Sequence, residues 1–242
     1  MLSLCMLVRD QDIDPIVSLV REKGKFEFEL CIGDNSTDKE LSKHLKELAQ
    51  EYVKISDKQL FRMGIPWAHN LINSMANTYK IMYLDVDEYP IWIHPELENI
   101  LDFNYIVPAM RYDFATQEQI EKFSKIEDYF KLREELDKET WTTPVHPQDR
   151  VYNSRYTRFE GLCHSIFWGP PEFRSSHASC IILHNKVIRE KKDLKRMNDL
   201  IDEQFYRMNI NPLLSSSPIV HKWGKGTPKK YDNWKEFVEA FN

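Results

Sequence analysis

The chain has 242 residues, of which 42% are hydrophobic and 12% aromatic, enough apolar material to fill a substantial α/β core and too much for a disordered chain. Its 33 Lys and Arg against 38 Asp and Glu leave a formal net charge of -5, which argues against a general nucleic-acid binder, because such proteins are basic. No apolar stretch is long enough to span a bilayer, so no transmembrane helix is expected. The N-terminal run Met1 to Val8 stops at Arg9 and Asp10, with no basic region before it and no small-residue cleavage site. It reads as a first strand and not a signal, and the expected location is cytoplasmic. Cys5, Cys31, Cys163 and Cys180 lack the paired spacing of a zinc site and are expected to be reduced and buried.

In chain order, residues 2–8 and 28–32 are strand candidates separated by helical spacing over 14–23, which suggests a parallel βαβ unit. The turn Gly33-Asp34-Asn35-Ser36-Thr37-Asp38 leads into a helix through about Gln50, with Thr37 and Glu40 in capping-box spacing. A short strand at 53–55, a helix from Pro66 through Asn77 and a strand at 79–84 follow. The alternation predicts a Rossmann-like, mainly parallel sheet with helices on both faces. Beyond it, 104–111 reads as a strand and 116–137 as one charged amphipathic helix. Residues 149–164 and 178–184 read as further strands, and 190–208 as a basic helix.

Residues 79–88, Tyr-Lys-Ile-Met-Tyr-Leu-Asp-Val-Asp-Glu, end an apolar run at three carboxylates, as a buried strand ending at a site does. On an extended backbone Asp85 and Asp87 point the same way, so they can share one divalent cation while Val86 packs opposite, with Glu88 a candidate for the next shell. Ligands of open α/β sheets gather at the carboxyl ends of strands, where this pair is expected. A solvated acidic loop is the plainer reading of the same residues.

Taken in order, Ser-Leu-Cys-Met-Leu-Val-Arg at 3–9, Gly-Asp-Asn-Ser-Thr-Asp at 33–38, Ala-His-Asn at 68–70 and Leu-Asp-Val-Asp-Glu at 84–88 resemble the motifs of family 2 glycosyltransferases, which have the GT-A fold. Arg150-Val-Tyr, Phe159-Glu-Gly-Leu-Cys-His164 and Ile182-Leu-His184 resemble later segments of a bacterial branch of that family. The resemblance covers about residues 1–200. It implies a single GT-A-like domain over 1–242, with 1–110 building the nucleotide-sugar and metal half and 111–242 the acceptor half.

The resemblance implies that Asp34 receives the base of a nucleoside diphosphate sugar, with the backbone around Leu7 to Arg9 as a wall of that pocket. A carboxylate can accept the imide N–H of uracil. Asn70, and His69 where the family has Arg, would line the diphosphate pocket. Asp85, with Val86 beside it, would lie near the ribose and the metal. Asp87, with Asp85 and His184, would hold Mn²⁺ or Mg²⁺ on the donor diphosphate. Lys186, Arg189, Lys191, Lys192, Lys195 and Arg196 form a candidate basic lid. Inverting transfer also needs a base for the acceptor hydroxyl. Where the family branch has His-Glu, this chain has His164-Ser165, which leaves His164, Glu160 and Glu172 as candidates.

The tail from His221 to Trp234 mixes lysines with Trp223 and Trp234, and is a candidate acceptor platform or peripheral contact with an anionic membrane surface. The expected function is a metal-dependent, inverting glycosyltransferase using a nucleoside diphosphate donor, a UDP-sugar, and a glycan, lipid-linked or protein acceptor. The alternatives are a non-catalytic domain binding nucleotide or glycan, and a metal-dependent phosphohydrolase or nucleotidyltransferase.

Overall fold

In the computed structural model, residues 1–141, 145–160, 166–168, 175 and 178–185 are described. The apolar run Leu2–Val8 forms strand β1, and it is continuous because both faces of the strand are covered. Leu2, Leu4, Met6 and Val8 enter the larger core, while Cys5 lies in a second cluster with Ile72, Tyr83, Tyr152 and Phe159. That period of two places the two cores on opposite faces of one sheet.

After β1 come α1 (Asp14–Gly24), β2 (Phe28–Asp34), α2 (Lys39–Leu48), β3 (Glu51–Lys54), α3 (Asp57–Met63), α4 (Ile65–Met75) and β4 (Lys80–Tyr83). The chain continues through β5 (Glu88–Ile93), α5 (Leu97–Phe103), β6 (Ile106–Asp113), α6 (Gln117–Phe123), α7 (Tyr129–Asp137) and β7 (His146–Asn153). Two short strands, β8 (Arg158–Glu160) and β9 (Ile166–Trp168), pair with each other, and β10 (Cys180–His184) returns to the main sheet.

The eight-stranded sheet has the order β3-β2-β1-β4-β7-β6-β10-β5. Strands β1, β2, β3, β4, β6 and β10 run in one direction, whereas β5 and β7 run in the other. The α/β class is therefore as expected, but the sheet is mixed, because β4 turns directly into the region that feeds antiparallel β5 and β7 inserts between β4 and β6. Helices α1, α5, α6 and α7 cover the larger core, and α4 with β8 covers the other face.

Local chemistry explains the boundaries. Asp38, one residue beyond the expected Thr37, caps α2 by accepting from the N–H groups of Glu40 and Leu41. The span expected as one helix over 116–137 is two helices. Thr116 and Gln119 form a capping box for α6, and Asp128 starts α7 by accepting from the Lys131 N–H. Gly33 lets α4 sit close on β2, since a Cβ there would lie 2.5 Å from Ile72 Cδ1 and 2.9 Å from Ile55 Cδ1. Cys5, Cys31 and Cys180 are free and buried as expected, while Cys163 lies outside the described residues. Among the described residues no helix is long and apolar enough to cross a membrane.

Candidate functional site

The shared strand direction brings the ends of β1, β2, β3, β4, β6 and β10 to one edge of the sheet, together with the start of β5. On one side of that edge, the loops after β1 and β2 are stitched together. Arg9 donates from Nη1 to Asn35 Oδ1 at 2.5 Å and to Asp57 Oδ1 at 2.7 Å. Asp10, in the left-handed region at φ 44, accepts from the Thr37 N–H at 2.6 Å and the Asp38 N–H at 3.0 Å. Burial would raise the Asp10 carboxyl, but those two N–H groups and the Thr37 hydroxyl outweigh it and hold it below the usual range.

Asp34 ends β2 and is buried beneath these loops. One carboxylate oxygen accepts from the Ser36 N–H at 2.6 Å, and the other from Tyr52 at 2.7 Å and Lys54 Nζ at 2.8 Å. Burial pushes this carboxyl up, but the bonds from Lys54, Tyr52 and Ser36 prevail and keep it low, so it is an anion. Lys54 is half exposed and also reaches the Ser36 carbonyl at 2.6 Å, which puts a cation between the buried Asp34 carboxylate and the solvent. Sequence reasoning found Asp34 and missed its two strand partners. Tyr52 and Lys54 lie on the same face of β3, two residues apart, and that spacing was the available signal.

On the other side, residues 85–88 form a tight turn in which the Glu88 N–H donates to the Asp85 carbonyl at 3.1 Å. The extended geometry expected there is absent, and the two aspartates diverge. Asp85 Oδ2 accepts from Arg150 Nη2 at 2.5 Å. The fully buried Glu88 accepts from Arg150 Nη2 at 2.5 Å, Arg150 Nε at 3.1 Å and Arg111 Nη1 at 3.1 Å, while its second oxygen accepts from the Asp85 N–H at 3.1 Å. Burial alone would lower the Arg150 guanidinium, but Asp85 and Glu88 override it and raise it. Val86 is buried within the turn.

Asp87 points instead toward His184, whose Nε2 stands 3.3 Å from Asp87 Oδ1, while Nδ1 lies 2.7 Å from Asp113 Oδ1. The sheet register makes this possible, since His184 pairs with Glu88 on one side and Asp113 on the other, at the strand ends. All three of Asp87, Asp113 and His184 are buried. Burial lowers the imidazole, but Asp87, Glu88 and Asp113 outweigh it and raise it.

The ring of His69 packs on Tyr83 and Phe159 at centroid distances of 4.2 Å and 4.8 Å. Burial and Arg150 depress the imidazole to about 3, so it is neutral, unlike the cation expected of an arginine at this place. Asn70 brackets the β8 backbone, donating to the Phe159 carbonyl at 2.8 Å and accepting from its N–H at 3.0 Å. Glu160 ends β8 next to this clamp. His164, Glu172, Lys186, Arg189, Lys191, Lys192, Lys195, Arg196, Trp223 and Trp234 lie outside the described residues.

No protein-family model matches the chain, and no curated protein sequence matches it. Among solved structures, crystal structures of S. aureus TarS are similar. TarS 1-349 overlaps with 12% identity and a TM-score of 0.39, covering 84% of this chain and 65% of that one. The same protein in complex with UDP gives 12% and 0.38, and in complex with UDP-GlcNAc 11% and 0.40. The chain spans 65% to 66% of the length of these three structures. At that level of likeness the weight falls on the residues themselves.

The donor set at the edge fits a divalent cation in part. His184 lies between Asp113 at Nδ1 and Asp87 at Nε2, the carboxylate–histidine arrangement that orients metal-binding imidazoles, and a bound cation would take the place of the proton between Nε2 and Asp87. Ligand atoms on adjacent corners of an octahedral ion are about 3.0 Å apart for bonds near 2.1 Å, close to the 3.3 Å seen. Asp85 does not join them, because Arg150 holds it. Among the described residues, the group that brings three ligand atoms within 4.8 Å is Asp12 and Asp14 at the start of α1 with His44 of α2, all exposed. There His44 Nε2 already sits 3.0 Å from both Asp14 oxygens.

Proposed function

We propose that the chain is a glycosyltransferase that moves a glycosyl group from a nucleoside diphosphate sugar, with uridine as the base, to a hydroxyl on a glycan, lipid-linked or protein acceptor. The reading is carried by the approach of Asp87 and His184 to 3.3 Å at the carboxyl edge. They belong to two motifs distant in the chain, Leu-Asp-Val-Asp-Glu at 84–88 and Ile-Leu-His at 182–184, whose family resemblance implies ligands of one divalent ion. The anionic Asp34 with Lys54 at the same edge supports a nucleoside end, and the carboxylate–imidazole pair supports a diphosphate end.

Asp87 and His184 would hold Mn²⁺ or Mg²⁺, and a bound divalent ion would neutralise charge on the departing nucleoside diphosphate. The remaining work falls to the chain. Asp113 keeps the His184 ring in one orientation, and the Arg150–Glu88–Arg111 network fixes the turn that presents Asp87. The Asn70 clamp sets the path of β8, which ends at Glu160. The acceptor hydroxyl attacks the anomeric carbon opposite the leaving diphosphate and gives its proton to a base drawn from His164, Glu160 and Glu172.

A second reading, a domain that binds nucleotide or glycan without turnover, is favoured by one observation: Asp85 is already neutralised by Arg150. Incubation with a panel of UDP-sugars and Mn²⁺, with chromatographic assay of the nucleotide products, separates the readings. Release of UDP, abolished in Asp87→Asn, is the expected result. Sugar 1-phosphate with UMP, or with a uridylylated acceptor, would point to phosphohydrolysis or nucleotidyl transfer, and no product with any donor or acceptor would point to the binding domain.

A further inference from the structure

Arg150 lies on β7, the antiparallel strand inserted between β4 and β6. Its neighbour Val151 pairs with Met82, so Arg150 stands across from Tyr83 at the end of β4, where the chain enters the 85–88 turn. The Tyr83 ring in turn packs on His69 at 4.2 Å. In the sheet, β4 and β7 lie between β2, which ends in Asp34, and β10, which ends in His184. A ligand laid along the edge from Asp34 to the Asp87–His184 pair passes the strand ends beside Arg150.

The protein uses only part of this guanidinium. Nε and Nη2 donate to Glu88 Oε1 at 3.1 Å and 2.5 Å, and Nη2 also donates to Asp85 Oδ2 at 2.5 Å. Glu88 is fully buried and shared with Arg111, whereas the Asp85 side chain is 36% exposed. Among the described residues Nη1 makes no bond, and it is not one of the buried nitrogens left without a partner. Glu88 thus anchors one edge of the planar group, and the two N–H groups of Nη1 are held in a fixed direction on its accessible side.

That arrangement suits an oxyanion. A guanidinium already fixed by a buried carboxylate loses little freedom on binding, and its N–H groups form short, charge-assisted bonds to phosphate oxygens. Burial opposes the charge on Arg150, but Asp85 and Glu88 outweigh it, so the group is a cation. His69, kept neutral by burial and by Arg150, supplies no charge beside it.

We propose that Arg150 is a phosphate-binding residue, donating from Nη1 to the donor diphosphate where it lies between Asp34 and the Asp87–His184 pair. The inference rests on the glycosyltransferase reading and adds to it the side chain that grips the diphosphate. Arg150→Lys is the probe, because an ammonium keeps a cation against Glu88 but has no second nitrogen to offer a ligand. On the full chain, below the melting transition of the variant, Mn²⁺ affinity is read by electron paramagnetic resonance of the free ion and UDP affinity by calorimetry in saturating Mn²⁺. Arg150→Lys should bind Mn²⁺ within about twofold of wild type and lose UDP affinity about tenfold, the size of one hydrogen bond to a charged group.

Mn²⁺ and UDP affinities that fall together would make Arg150 a support of the turn alone and overturn the phosphate contact. UDP affinity within about twofold of wild type would overturn it as well. Either result leaves the glycosyltransferase reading in place, whereas no UDP binding by wild type overturns both.

Discussion

Arg150→Met is the sharpest probe of the edge. Glu88 is 0% exposed and accepts three of its four hydrogen bonds from Arg150 and Arg111, and Asp85 accepts from the same Arg150 nitrogen. Cutting one partner from a buried ion pair costs about 3–5 kcal/mol, because the other charge is left without compensation. Arg111 still neutralises part of Glu88, which places the expected loss near 3 kcal/mol. For a domain of this size that is a fall in Tm of about 6–12 °C. Thermal unfolding followed by circular dichroism is the assay, with Glu88→Met and the double variant completing a cycle. The double variant should lose less than the sum of the single ones, since it removes both charges. If Arg150→Met melts within 2 °C of wild type, or the cycle is additive, the network is not the anchor of the turn.

Gly33→Ala should destabilise by about 1–3 kcal/mol in urea unfolding, because its Cβ would overlap Ile72 and Ile55. The His69 imidazole, at about 3 in the folded protein against about 6.5 unfolded, takes up its proton only on unfolding. Its presence therefore lowers stability as pH falls from 6.5 toward 3, at up to about 1.4 kcal/mol per pH unit. His69→Phe should flatten that part of the stability profile, and an unchanged slope would refute the buried neutral ring. Asp113→Asn should weaken Mn²⁺ binding, read by electron paramagnetic resonance of free Mn²⁺, by about 10–100-fold.

The parts of the fold written in contiguous residues were legible. β1 and β2 are mainly apolar because both faces are buried, and α1 and α4 announce themselves with Pro15 and Pro66 in their first turns. β5 was not legible, since Glu88-Tyr89-Pro90 opens it with a charge and a proline. It tolerates Pro90 because it is the edge strand, where a missing N–H breaks no outer ladder. Helices α6 and α7 merged in the reading because Ile120, Phe123, Leu132 and Leu136 all face the same core across the break.

At the site, composition and motif order led to Asp34, Asp87 and His184. They could not show that residues 85–88 turn, which separates Asp85 from Asp87. Arg111, Asp113 and Arg150 were assigned no role, because their positions at the edge follow from long-range strand register, which no local pattern records.

The central claim is that the carboxyl edge holds a nucleoside diphosphate through a divalent cation at Asp87 and His184. Thermal stabilisation by UDP with Mn²⁺, measured with and without chelator on wild type and on Asp87→Asn, tests it most directly, because a ligand of the folded state must raise Tm by mass action. The expected result is stabilisation that needs Mn²⁺ and is lost in Asp87→Asn. Stabilisation that persists in the chelator or in the variant, or that no nucleoside diphosphate produces, would contradict it.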